Sequence, residues 1–160
     1  MKFKLFFTAL LALALVGCDK DDRKGSGNPP VFGGKWVGEW MLSTWNGSEE
    51  LAGKIYIAFE KEGGFVLYQS VDMPGYTVFR GSYVVTADGA GEDRGVLSGT
   101  YEDGAPLDEG SYEIEYDKEN MLTLTGRKSG IVSEYERCTI PDYVKDGITG
   151  RADAGCGRFL

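Results

Sequence analysis

The chain has 160 residues, enough for one domain with a substantial core and too few to expect two, and it contains no histidine. Without an imidazole there is no Ser-His-Asp or Cys-His nucleophile pair and no His-ligated zinc or haem, so only carboxylate, Ser-Lys or substrate-assisted chemistry stays open. Lys and Arg total 17 against 25 Asp and Glu, which argues against a nucleic-acid partner, and 24 Gly with 3 Trp, 9 Tyr and 8 Phe lean the composition toward all-β.

Lys2 and Lys4 precede an apolar run, Leu5 to Val16, that is too short to cross a bilayer and suits the apolar region of an export signal. It has no polar face, which sets it apart from an ordinary surface helix. It ends in Leu15-Val16-Gly17-Cys18, which resembles the lipobox of bacterial lipoproteins. The resemblance implies that residues 1–17 are a signal peptide and that Cys18 becomes an acylated first residue, carrying diacylglyceryl and a further chain such as palmitate. Each buried methylene contributes about 0.8 kcal/mol, so two or three chains hold a protein on a membrane without basic residues. Loss of Lys2 and Lys4 leaves 17 − 2 = 15 cations against 25 anions, a mature charge near −10.

Residues 18–31 are charged and then rich in Gly, Ser, Asn and Pro, which reads as a tether. Asp19-Lys20-Asp21-Asp22 resembles the surface-export signal of Bacteroidota lipoproteins; an aspartate directly behind the lipid cysteine is also associated with inner-membrane retention in enterobacterial ones, and a plain charged linker is the third reading. The expectation is a surface-exposed outer-membrane lipoprotein, with the periplasmic face of the inner membrane as the alternative.

From about Phe32, short apolar runs recur between turn signals: Lys35 to Trp45, Lys54 to Lys61, Phe65 to Val71, Tyr76 to Thr86, Gly95 to Glu102, Gly110 to Asp117, Asn120 to Gly126 and Ile131 to Ile140. Alternation is plainest in Tyr112-Glu113-Ile114-Glu115-Tyr116, which gives a sheet one dry face and one wet face. Eight such runs are most simply satisfied by an all-β, eight-stranded up-and-down antiparallel barrel, because closure removes exposed edges. A two-sheet sandwich is the alternative. Such a barrel is about wide enough to be filled by its own side chains or to hold one small ligand.

Gly34-Lys35-Trp36 at the start of the first run resembles the Gly-x-Trp signature of lipocalins and their calycin relatives. Together with the lipobox and Ile140-Pro141-Asp142-Tyr143-Val144-Lys145, the chain resembles the lipocalin-like lipoproteins of Bacteroidota. The resemblance implies a barrel over residues 32–140, closed at one end by Trp36, and a small apolar ligand or a protein partner. The long helix usual after the eighth strand is missing. In its place the tail, residues 141–160, offers a short helix with Pro141 and Asp142 at its start and Gly147 at its end. With Cys18 lipidated, Cys138 and Cys156 form an even pair in an oxidising compartment, so a disulfide is expected, contributing roughly 3 kcal/mol. The tail then acts as a clip, or as a plug over one mouth.

Catalytic patterns are weak. Glu113 with Glu115, and Glu134 with Glu136, each share a strand face, the geometry a carboxylate hydrolase of polysaccharide would need, but a solvated outer face explains them as well. The acidic loop Asp88 to Gly95 lacks the ligand spacing of a calcium loop. The reading therefore calls for no catalytic residue, metal or cofactor, and for a binding protein rather than an enzyme. Trp36, Trp40, Phe59, Phe79 and Tyr83 are the candidates to line a ligand cavity, or to fill it. Trp45 falls on the opposite parity and is expected exposed at a rim. A hydrolase or glycan-binding accessory, and an inhibitor or structural protein with a filled barrel, are the alternatives.

Overall fold

The computed structural model describes residues 30–31, 34–71, 74–89, 93–117, 119–149 and 158–160. Cys18, the leader, the tether up to residue 29 and Cys156 lie outside them.

The chain forms β1 (Pro30–Val31), β2 (Gly38–Trp45), β3 (Gly53–Phe59), β4 (Gly64–Val71), β5 (Thr77–Ala87), β6 (Arg94–Tyr101), β7 (Pro106–Tyr116), β8 (Met121–Gly126), β9 (Val132–Arg137), α1 (Asp142–Lys145) and β10 (Ile148–Thr149). From β2 to β9 each strand pairs antiparallel with the next, and β9 pairs back onto β2. The result is a closed eight-stranded up-and-down barrel rather than a sandwich. All eight expected runs are its staves. β2 begins at Gly38 because Lys35 and Trp36 form a turn, with the Val37 amide donating to the Gly34 carbonyl at 3.1 Å. β7 begins at Pro106, before the expected Gly110, through an irregular pairing that sets Pro106 opposite Thr100. Proline is tolerated there as the first residue of a strand, where its missing N–H costs no ladder bond.

The two short strands were not legible as strands, and β5 explains both. It is 11 residues long. Thr77 to Ser82 pair with β4 on one edge, and Gly81 to Ala87 pair with β6 on the other. That offset leaves two open stretches: β1 pairs with Val85 and Thr86, and β10 runs parallel along Thr77 and Val78. Covering unpaired backbone in this way removes sites for edge-to-edge association. Pro30 and Val31 thus belong to the barrel and not to the tether. At the changeover, Gly81 has no side chain because a Cβ would run into the Thr100 carbonyl and the Phe65 ring.

The inward faces make one continuous cluster of buried side chains, from Trp36 and Trp40 through Ile57, Leu67, Leu97, Ile114 and Leu122 to Tyr135. A second, smaller cluster lies outside the barrel, where Tyr56, Val66, Tyr68 and Val78 are covered by Ile140 and by Val144 of α1. The helix is placed as expected: Pro141 caps its start and the Gly147 amide closes onto the Val144 carbonyl at 3.2 Å. Glu39 holds it down, accepting from the Ile140 amide at 2.7 Å and pairing with Lys145 at 2.8 Å.

Candidate ligand site at the barrel mouth

The barrel has two unlike ends. At the base, where β2 begins and β9 ends, Trp36 lies over Gly34 so closely that a Cβ there would clash with the indole. Its carbonyl accepts the Trp40 indole N–H at 2.7 Å. The Arg137 guanidinium lies over the Trp40 ring at 4.2 Å and donates to the carbonyls of Lys35, at 2.7 Å, and Val37, at 3.3 Å. Two orphan carbonyls and an aromatic face are thus satisfied by one planar cation.

The five aromatic candidates are brought together, but in the core. Trp36, Trp40, Phe59, Phe79 and Tyr83 are all at most 4% exposed and belong to the one buried cluster. Phe59 and Tyr83 meet edge to face at 4.9 Å, and the Tyr83 hydroxyl donates to the Glu60 carbonyl. Burial pushes the Tyr83 phenol up to about 12, against a smaller opposing effect of the Trp36 indole.

A cavity of about 240 Å³ sits instead at the opposite end, the mouth, and none of those five residues lines it. Trp45, Tyr112, Ile131 and Phe159 form its apolar walls; Asp108, Glu109, Ser129, Ser133 and Arg158 supply polar groups. Trp45 reaches it because the β2–β9 register shifts between Leu42 and Thr44. A bulge residue reverses the parity of everything after it, so Trp45 lies opposite buried Ser133; it stands at the rim as expected, but on the inner parity and half-buried. Ser43 and Thr44 both turn to Glu134, one to its carbonyl and one to its carboxylate. The Asn46-Gly47 turn follows with φ of 50° and 80°, the left-handed pair that a two-residue hairpin turn requires.

The end of the tail closes this mouth. Leu160 is buried in the barrel cluster, and its carbonyl accepts from the Tyr101 hydroxyl and from the Asp108 amide. Phe159 packs against Trp45 with ring centroids 4.3 Å apart and the planes tilted by 52°, and its amide donates to buried Gln69 at 3.2 Å. Arg158 lies over the Tyr101 ring at 4.2 Å and pairs with Asp103. Arg158, Phe159 and Leu160 thus lie across the mouth, while the clip expected from Cys138 and Cys156 falls outside the described residues. Burial pushes the phenols of Tyr101, Tyr112 and Tyr135 far up. It also raises Asp108, opposed by Arg158 and Lys128. Glu109 is lowered, mainly by the Ser129 amide, so the mouth keeps a fixed negative charge.

The paired carboxylates face outward. Glu115 is bonded to Arg94, Glu113 lies 4.0 Å from Arg127, and Glu134 is held by Thr44. Among the described residues no group of three or more acidic or cysteine side chains could hold a metal ion. Among the described residues Cys138 has no disulfide partner; it is half-buried, and burial and Glu39 raise the pKa of its thiol form. Cys156, its expected partner, lies outside the described residues.

Sequence reasoning missed Arg137, Tyr101, Tyr112, Arg158 and Phe159. Arg137 carried a signal: it shares parity with Ser133 and Tyr135, so it is a charge on the dry face at a strand's end. Arg158 and Phe159 carried none, because only the tertiary fold brings them to the mouth. No family model matches the chain, and no curated protein or solved structure is similar enough to count as a relative.

Proposed function

We propose that the chain is a lipid-anchored envelope protein of the lipocalin-like kind, a binding protein whose barrel takes a small apolar molecule at its mouth. The observation that carries this reading is the part-enclosed cavity walled by Trp45, Tyr112, Ile131 and Phe159. A few placed polar groups on apolar walls are the usual make-up of a small-molecule site. The geometry suits an anchor at Cys18. Pro30 pairs with Thr86 and Val31 with Val85, so the chain enters the barrel from the base. The mouth lies at the end opposite to that entry. On this reading Cys138 pairs with Cys156 in the oxidising envelope, and the charged residues behind Cys18 send the protein to the cell surface. Mass spectrometry of the non-reduced mature protein tests both modifications, expecting acylated Cys18 and no free thiol.

Binding is tested by titrating the full chain with the neutral apolar dye N-phenylnaphthylamine. Saturable binding is expected, lost on Ile131→Trp, which fills the cavity. A second reading, an inhibitor or structural envelope protein, is favoured by the burial of Trp36, Trp40, Phe59, Phe79 and Tyr83 in the packed core. Absence of saturable binding would favour it.

A further inference from the structure

We propose that the mouth is a binding site for small amphiphilic cations and that Arg158, Phe159 and Leu160 occupy it as a tethered stand-in for that ligand. The inference rests on the mouth being the ligand site and adds the ligand's chemistry and what competes with it.

The chemistry is read from the occupant. The Arg158 guanidinium stacks 4.2 Å over Tyr101 and 5.5 Å from Phe79, is paired with the Asp103 carboxylate, and its side chain is only 11% exposed. An aromatic face with a carboxylate beside it recognises ammonium and guanidinium groups through the ring quadrupole and a charge-assisted hydrogen bond. Beyond the cation, Phe159 lies on Trp45 and Leu160 is buried in the barrel. The site therefore takes a cationic head followed by an apolar body. Asp108 and Glu109 stand on the same rim, with Lys128 beside them.

The occupant is held in a way that permits exchange. Its residues belong to no strand or helix, and among the described residues their backbone bonds are those from the Tyr101 hydroxyl and the Asp108 amide and to Gln69. The cavity of about 240 Å³ is walled in part by Arg158 and Phe159. That is below the roughly 300 Å³ at which pockets for drug-sized ligands begin. Withdrawal of the segment joins the cavity to the space it vacates and leaves Tyr101, Gln69 and Asp103 facing the opening.

The test uses the full chain and two peptides, Gly-Arg-Phe-Leu and its neutral analogue with citrulline for arginine, with N-phenylnaphthylamine as the apolar probe. The intact protein, whose site is filled most of the time, is expected to bind the arginine peptide about tenfold more weakly than the variant with Arg158→Ala and Phe159→Ala, since apparent affinity scales with the competent fraction. In that variant the citrulline peptide should bind about tenfold more weakly than the arginine peptide, and Asp103→Asn should shrink the difference to the part that the Tyr101 ring supplies. Phe159→Ala alone gives the same ordering in smaller measure should the double variant fail to fold. Equal peptide binding by intact and variant protein, or equal binding of the two peptides, overturns the proposal. If the apolar probe still binds saturably in either case, the ligand site at the mouth survives and only the cationic tethered stand-in falls; if neither probe nor peptide binds, both fall.

Discussion

The two ends of the barrel use the same device and bind it differently. At the base Arg137 lies 4.2 Å over Trp40, and at the mouth Arg158 lies 4.2 Å over Tyr101. Arg137 sits on a stave and donates to backbone carbonyls two residues apart in one turn, so its partners cannot move without unravelling the start of β2. Arg158 belongs to no strand and pairs with Asp103, a half-exposed side chain in the β6–β7 turn. The contacts are alike, but the ladder anchors the cation at the base and a turn side chain anchors it at the mouth. On the proposal made above, that difference makes the mouth the end that exchanges its occupant.

The contrast predicts unequal responses to change. Trp40→Ala, at a fully buried site whose indole also bonds Trp36, is expected to cost about 3–5 kcal/mol in chemical denaturation. Phe159→Ala at the half-buried plug should cost less than half as much, and a reversal of that order would break the comparison.

Alkaline pH should act on the interior next. Burial raises Tyr83, Tyr101, Tyr112 and Tyr135 above the ordinary phenol value of about 10. A raised folded value means the stability is complete below the unfolded pKa and is lost as pH rises through the folded one, at up to about 1.4 kcal/mol per pH unit for each phenol. Ultraviolet absorbance should show these tyrosinates appearing together with unfolding. Their gradual titration in a folded protein would contradict the packing described.

The arginines come third. Arg137→Ala is expected to cost about 1–2 kcal/mol, through the lost stacking and two uncovered carbonyls. Arg158→Ala should cost less than about 1 kcal/mol, because its carboxylate partner is solvated. Smallest is Glu39, where burial raises the carboxyl but the Lys145 bond and Ile140 amide outweigh it and lower the net value. Its contribution is present above the ordinary carboxylate range and is lost as pH falls through the lowered value. Glu39→Gln should lower stability slightly at neutral pH, by less than about 1 kcal/mol, with the curves converging in acid.

The staves were legible because alternation and turn residues are local. Tyr112, Ile114 and Tyr116 share a face in the sequence, and the first two are buried in the barrel. The parity of Trp45 was not legible, since the bulge at Ser43 arises from pairing with β9, some ninety residues on. Of the two roles open to the five aromatics, lining a cavity or filling it, their burial corresponds to filling. The aromatics that alternation picks out are those that fill the core, whereas the mouth is assembled from the end of one strand, the start of another, a hairpin and the tail. Pro30–Val31 escaped notice because two residues carry no periodicity.

The most direct test of the mouth as ligand site is two-dimensional NMR of the full chain during titration with N-phenylnaphthylamine. The account predicts saturable shifts concentrated at Trp45, Tyr112, Ile131, Ser133 and Phe159, with the indoles of Trp36 and Trp40 unmoved. Shifts confined to the base, or none that saturate, would contradict it.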